Sequence, residues 1–265
     1  MNVKKFKMKS EKLKILLLFL ITPLFALNVS VTILPQKYVV KAIGGDKVKI
    51  NVMVPEGSSP ATYSPNFKQL KEVKNSEIYF SIGVPFDKKY LNKVKEVNPS
   101  IETVDFGKWI KKQNNNPHIW LSPALLMLEA KTVLNTLIKK DFKNKDFYIK
   151  NYLHYIGVLS RLEQKGFSIG QKSFITFHPS FFYFAKDFML EEIAIQKEGK
   201  SPSFAYLAKI IKQAKQHNVK TVIISPEFPT KYAKIVAQKI NAKVVVISPL
   251  QNPLNTIKEL IKALQ

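Results

Sequence analysis

The sequence predicts an α/β protein of two lobes, each built on a mainly parallel sheet flanked by helices, with one long helix joining them. Three observations lead there. From Asn28 onward, short apolar runs of strand character alternate with amphipathic helical stretches, the rhythm of right-handed βαβ units. One uninterrupted helical pattern, Asp146 to Lys165, breaks that rhythm near mid-chain. At about 1.5 Å per residue it spans about 30 Å, enough to pass from one lobe to another. No connection is rich in Gly or Ser, so the lobes are expected to be joined rigidly. The expected division is residues 1–26 as a signal peptide, 27–144 as an N-terminal lobe, 145–166 as the linking helix and 167–265 as a C-terminal lobe.

Each element has a local cause. Val29 to Leu34 alternates polar and apolar residues and runs into Pro35, a strand ending in a loop. Tyr38 to Ile43 leads to the Gly44-Gly45-Asp46 reversal, and Val48 to Val54 is a second strand stopped by Pro55. After the loop Glu56 to Pro65 comes a short helix, Asn66 to Lys74, with Phe67, Leu70 and Val73 at helical spacing. Glu77 to Gly83 reads as a third strand, Lys88 to Asn98 as an amphipathic helix and Ile101 to Phe106 as a fourth strand. Ser122 and Pro123 form an N-cap and first-turn proline for a helix reaching Lys140. In the long pattern Asp146 is the expected N-cap and Gly166 the residue just past the end. The second half continues with strands at Phe174 to Phe177, Ile193 to Ile195, Thr221 to Ser225 and Val244 to Ile247. Its helices are expected at Phe181 to Phe188, Phe204 to Gln216, Tyr232 to Ile240 and Asn255 to Leu264, and the adjacent Glu191 and Glu192 in a solvent-facing turn.

Composition narrows the function. Lys4, Lys5, Lys7, Lys9, Lys12 and Lys14 precede the apolar run Ile15 to Leu27, a basic region followed by an apolar one too short for a membrane span of about 20 residues. It reads as a signal peptide cleaved near Ala26, with an uncleaved N-terminal anchor as the alternative. The chain has no cysteine, so disulfides and a lipidated cysteine are not expected, and a freely diffusing periplasmic protein is the simplest form. The formal charge of +23 raises the question of nucleic acid. The lysines, however, are spread along every amphipathic helix and Arg161 is the only arginine, which describes a solvated basic surface. No glycine-rich phosphate loop and no nucleophile elbow occur, so no enzyme is expected.

The chain has four histidines. His118 lies on the short connector between Pro117 and the helix opened by Ser122, and His178 follows the apolar run Phe174 to Phe177. Both fall at strand ends, where ligands gather in parallel sheets. Neutral imidazole suits zinc and other borderline divalent ions, and a carboxylate completes a mixed nitrogen and oxygen site. Taken alone, the pair fits either such a site or two hydrogen-bonded core histidines. His154 is expected to be structural or exposed, and His217 to complement a helix C-terminus.

Three stretches resemble the solute-binding proteins of zinc and manganese ABC transporters (cluster A-I). They are Pro117-His118-Ile119-Trp120-Leu121-Ser122-Pro123, His178-Pro179-Ser180-Phe181-Phe182-Tyr183-Phe184, and Ser201-Pro202-Ser203 with the later strand ending at Glu227. The resemblance runs through nearly the whole chain after the leader. It implies two α/β lobes, an exported monomer, a divalent ion as cargo (zinc first, manganese second) and a membrane permease as partner. It also implies that His118 and His178 are two of four metal ligands. Ala61, in Ser59-Pro60-Ala61-Thr62-Tyr63-Ser64-Pro65, stands where the family has a histidine, and Ser248 where it has an aspartate. Glu227 is then a substitute ligand or a carboxylate steadying a ligand histidine; Ser248 with Tyr63 holds a water; or the metal arrives already chelated. A relative that recognises a chelate, an organic anion or a protein is the alternative reading.

Overall fold

The computed structural model describes residues 26–196 and 201–265. The predicted signal peptide, apart from Ala26, lies outside the described residues. Among the described residues no helix is long and apolar enough to cross a membrane.

The first lobe carries β1 (Leu27–Ile33), α1 (Leu34–Gly44), β2 (Val48–Val54), α2 (Phe67–Lys74), β3 (Ile78–Ser81), α3 (Pro85–Val97) and β4 (Glu102–Asp105). Then come α4 (Pro123–Lys140) and the long α5 (Lys145–Gly166). The second lobe has β5 (Ser173–Thr176), α6 (Phe182–Asp187), β6 (Glu191–Ala194), α7 (Phe204–Gln216), β7 (Thr221–Ile224), α8 (Lys231–Ile240), β8 (Lys243–Val246) and α9 (Pro253–Leu264). The sheets run β2-β1-β3-β4 and β6-β5-β7-β8, every neighbouring pair parallel. The two-lobed α/β architecture expected from the sequence is the observed one.

Three local expectations are corrected. Pro35 does not open a loop: β1 passes directly into α1, where Pro35 takes a first-turn position that needs no N–H. The backbone N–H groups of Thr32 and Ile33 instead donate to buried Gln36 Oε1, both at 3.0 Å. Asn144, not Asp146, is the N-cap of α5, and Gly166 is its last helical residue, lying against the Phe188 ring where a Cβ would collide. Glu191 and Glu192 belong to β6, where Glu192 Oε1 accepts from Thr176 Oγ1 at 2.8 Å and Phe181 N at 3.1 Å. Burial nevertheless pushes the Glu192 carboxyl up to about 7. At the edge of the second sheet, β8 leaves Val244 and Val246 exposed.

One continuous apolar core joins the first sheet, α4, α5, α6, α9 and one face of the second sheet. A second, smaller core lies on the other face of that sheet under α7 and α8. Alternation along β5 divides its residues between them, Phe174 to the first and Ile175 to the second. Because the shared core crosses from lobe to lobe, large rigid-body opening would expose buried apolar surface at about 25 cal/mol per Å².

Candidate metal site

In both sheets the strand order reverses at the first strand, β1 in one and β5 in the other, and ligands gather beyond the carboxyl ends of strands at such points. The loops after β3 (Gly83 to Pro85), β5 (His178 to Ser180) and β7 (Glu227, Phe228) line one cleft of about 540 Å³, together with Ala61, Asn116 and His118.

The loop after β3 is fixed from beneath. Asp87, in the first turn of α3, accepts from the backbone N–H groups of Ile82 at 2.9 Å and Gly83 at 2.8 Å and from Thr32 Oγ1 at 2.5 Å. Burial raises the Asp87 carboxyl pKa, while these hydrogen bonds oppose the shift. Gly83 holds φ +85°, a conformation that favours glycine, and an added Cβ would meet Lys112 Nζ at 2.8 Å. Lys112 Nζ donates to Ile82 O at 2.7 Å.

His118 lies between two short 3-10 turns, Gln113–Asn115 and Ile119–Leu121, with Trp120 buried behind it and the ring centroids 5.2 Å apart. Asn116 Oδ1 accepts the His118 backbone N–H at 3.0 Å and lies 2.7 Å from His118 Nδ1. Because that oxygen is already an acceptor, Nδ1 carries the proton and Nε2 keeps its lone pair. Burial, and secondarily the neighbouring His178, push the His118 pKa down to about 3, so the ring is neutral at pH 7.

The connector is fastened to the second lobe. Trp120 Nε1 donates to Pro249 O at 2.7 Å, the Gln113 N–H donates to Tyr183 Oη at 2.9 Å, and Tyr183 Oη donates to Asn116 O at 3.1 Å. Ser122 Oγ, which caps α4 by accepting from Leu125 N at 3.0 Å, donates to Asp187 Oδ2 at 2.5 Å. Burial holds the Asp187 carboxyl up at about 6.

His178 faces His118 with ring centroids 5.3 Å apart and stacks on Phe228 at 4.6 Å and 24°. Its Nδ1 lies 2.7 Å from Gln196 Oε1. Burial lowers its pKa and the Gln196 contact works the other way. A metal bound tetrahedrally at about 2.0–2.1 Å from two imidazole nitrogens sets the ring centroids about 5 Å apart, close to the separation seen.

Glu227 lines the same cleft without touching either histidine's Nδ1. Ser248 Oγ donates to its Oε1, and its Oε2 is buried with no hydrogen-bond partner. The task of steadying a histidine, expected for this carboxylate, falls instead to the amides of Asn116 and Gln196. Among the described residues no cluster of three or more His, Cys, Asp or Glu is close enough to hold an ion. Ala61 stands exposed on the cleft-lining loop. Ser248 is buried and engaged with Glu227, and Tyr63 Oη donates to Gln69 Oε1 at 2.8 Å, not to a group shared with Ser248. His154 is exposed, and His217 Nδ1 lies 2.5 Å from Glu191 Oε2.

Asn116 was within reach of sequence reasoning, since it directly precedes Pro117 in the stretch that carries His118. Gln196 and Phe228 carry no local signal, because they reach His178 from neighbouring strand ends of the second sheet.

Residues 29–265 match the family described as ZnuA, zinc-uptake complex component A periplasmic. The chain is 29% identical over 252 residues to the high-affinity zinc uptake system protein ZnuA of Bacillus subtilis, covering 85% of this chain and 79% of that protein. It is 27% identical over 203 residues to the manganese ABC transporter substrate-binding lipoprotein PsaA of Streptococcus pneumoniae, covering 67% and 66%. Among solved structures it resembles a crystal structure of ZnuA with a TM-score of 0.83 and 34% identity, covering 91% of this chain and 100% of the other. A ZnuA deletion mutant with zinc bound aligns with the same TM-score and identity, covering 89% and 96%.

Proposed function

The chain belongs to the ZnuA family of periplasmic zinc-uptake components, and from that premise we propose that it captures a divalent metal ion, zinc foremost and manganese second, in the cleft between its lobes. It is a metal-binding solute-binding protein of ABC transporters and is exported. It hands the ion to a membrane permease as a monomer that diffuses freely in the periplasm after signal cleavage; the sequence offers no cysteine for a lipid. It binds no nucleic acid and catalyses no reaction. We assign residues 27–144 and 167–265 to the two lobes and 145–166 to the helix between them.

The observation that carries this reading is the facing pair of imidazoles, 5.3 Å apart, each engaged through Nδ1 by an amide oxygen. That arrangement offers two Nε2 lone pairs on rings held neutral, the form a metal requires. Glu227 adds the negative charge, its free Oε2 becoming a third donor on a small inward movement of the loop after β7. The shared core and the fastened connector favour such loop movements over wide closure.

Zinc titration followed by thermal unfolding tests the reading. A ligand at 100 times its Kd stabilises the native state by about 2.7 kcal/mol. The protein should show a saturable rise in Tm with zinc chloride, and the His118→Ala, His178→Ala double variant none. No zinc-dependent shift in the unaltered protein would refute it.

A further inference from the structure

Zinc in protein sites takes four donors. The cleft presents two imidazoles, no group of three donors stands together among the described residues, and with Glu227 Oε2 drawn inward the count reaches three, one short of four. Its volume of about 540 Å³ lies within the range of about 300–1,000 Å³ typical of sites for small organic molecules. Much of the wall is carbon, from Val84, Pro117, Phe182, Phe228 and Leu250.

Charge points the same way. Among the described residues Lys88, exposed on the first turn of α3, is the only lysine or arginine lining the cleft, and no carboxylate forms a salt bridge with it. Among the described residues Glu227 is the only acidic side chain there, with one oxygen occupied by Ser248. A bare dication on two neutral imidazoles would therefore face an exposed ammonium that no carboxylate pairs with. An anionic molecule that supplies oxygen donors to the metal and leaves a further carboxylate for Lys88 resolves both deficits at once.

We propose that the cargo is a metal chelate: a divalent ion held on one side by His118 and His178 and on the other by a small polycarboxylate or amino-acid chelator, whose outward carboxylate pairs with Lys88 and whose carbon skeleton packs on the apolar wall. The inference rests on the metal-capture reading and specifies the form in which the metal is taken. Binding is a ligand exchange: two waters or chelator donors leave the ion as two imidazole nitrogens enter, with no bond of the chelator broken.

Equilibrium dialysis of the full mature chain with radiolabelled zinc tests this in three arms: zinc alone, zinc with labelled citrate, and zinc with labelled L-histidine. The expected result is that at least one chelator is retained with zinc in a one-to-one ratio, is not retained without zinc, and raises zinc retention about tenfold or more over zinc alone. Lys88→Ala should lower that co-retention about tenfold, while Lys89→Ala, on the neighbouring exposed lysine, leaves it unchanged. If zinc alone is retained and both chelators strip it without being retained, the chelate inference falls and metal capture stands. If zinc is retained in no arm, metal capture itself falls, and the chelate with it.

Discussion

His118 sits on a connector that four hydrogen bonds fasten to the second lobe, through Pro249, Asp187 and both roles of the Tyr183 hydroxyl. His178 stands on the loop after β5 and is positioned by one hydrogen bond from its ring and one stacked neighbour, Gln196 and Phe228. The Asn116 amide beside His118 is itself fixed, because its oxygen also accepts a backbone N–H; among the described residues no second bond orients the Gln196 oxygen in this way. One half of the site is therefore prebuilt and the other is adjustable. A capture protein needs both properties: a fixed half sets the geometry, and a yielding half lets the ion in and out.

That contrast orders the expected mutational effects on zinc affinity, read by calorimetric titration. His118→Ala should have the largest, about 100-fold or more, since it removes a ligand from the rigid half. Asn116→Ala follows, toward the upper end of the 10–100-fold range for groups that orient a ligand histidine. Gln196→Ala should fall at the lower end, about tenfold, because His178 keeps its stacking partner. Phe228→Ala, which removes packing and no polar partner, should cost about threefold. If Gln196→Ala proves more harmful than Asn116→Ala, the assignment of rigid and yielding halves is reversed.

Acidity probes the same contrast more gently. Both imidazoles are held below their ordinary pKa of about 6.5, His118 at about 3. Below pH 6.5 these two imidazoles take up protons in the unfolded chain before the folded one, so their share of the metal-free protein's stability falls as pH drops from about 6.5 toward 3, while Glu192 and Asp187, with carboxyls held up at about 7 and about 6, act in the opposite sense. Denaturant titrations at pH 7, 5.5 and 4.5 should show His118→Ala gaining stability relative to the unaltered protein as pH falls. Zinc capture should persist to lower pH than it would on imidazoles of ordinary pKa, because burial holds both rings below that value.

Much of this was legible in the sequence. The βαβ rhythm located every strand to within a few residues, since alternation and prolines are local signals. The Ser122 cap appears where it was expected, and the short helix read from Asn66 begins at Phe67 with Asn66 as its cap. The misreadings came from contacts that local pattern does not record. Gln36 reaches back to satisfy the end of β1, so that Pro35 begins a helix and not a loop. Glu192, read as solvent-facing, is drawn into β6 by Thr176 and Phe181. In the cleft both histidines were visible from their positions at strand ends, while their amide partners split: Asn116 lay in plain sight and Gln196 did not. Ser248 and Glu227, separate in the chain, are joined only by the pairing of β7 with β8.

The central claim is that His118 and His178 together hold the metal, and X-ray absorption on the zinc-loaded full chain measures it most directly. The account predicts two imidazole nitrogens at about 2.0–2.1 Å with oxygen donors completing the shell, and loss of the imidazole signal in the double histidine variant. A shell of oxygens alone, or an imidazole signal that survives the double substitution, would contradict it.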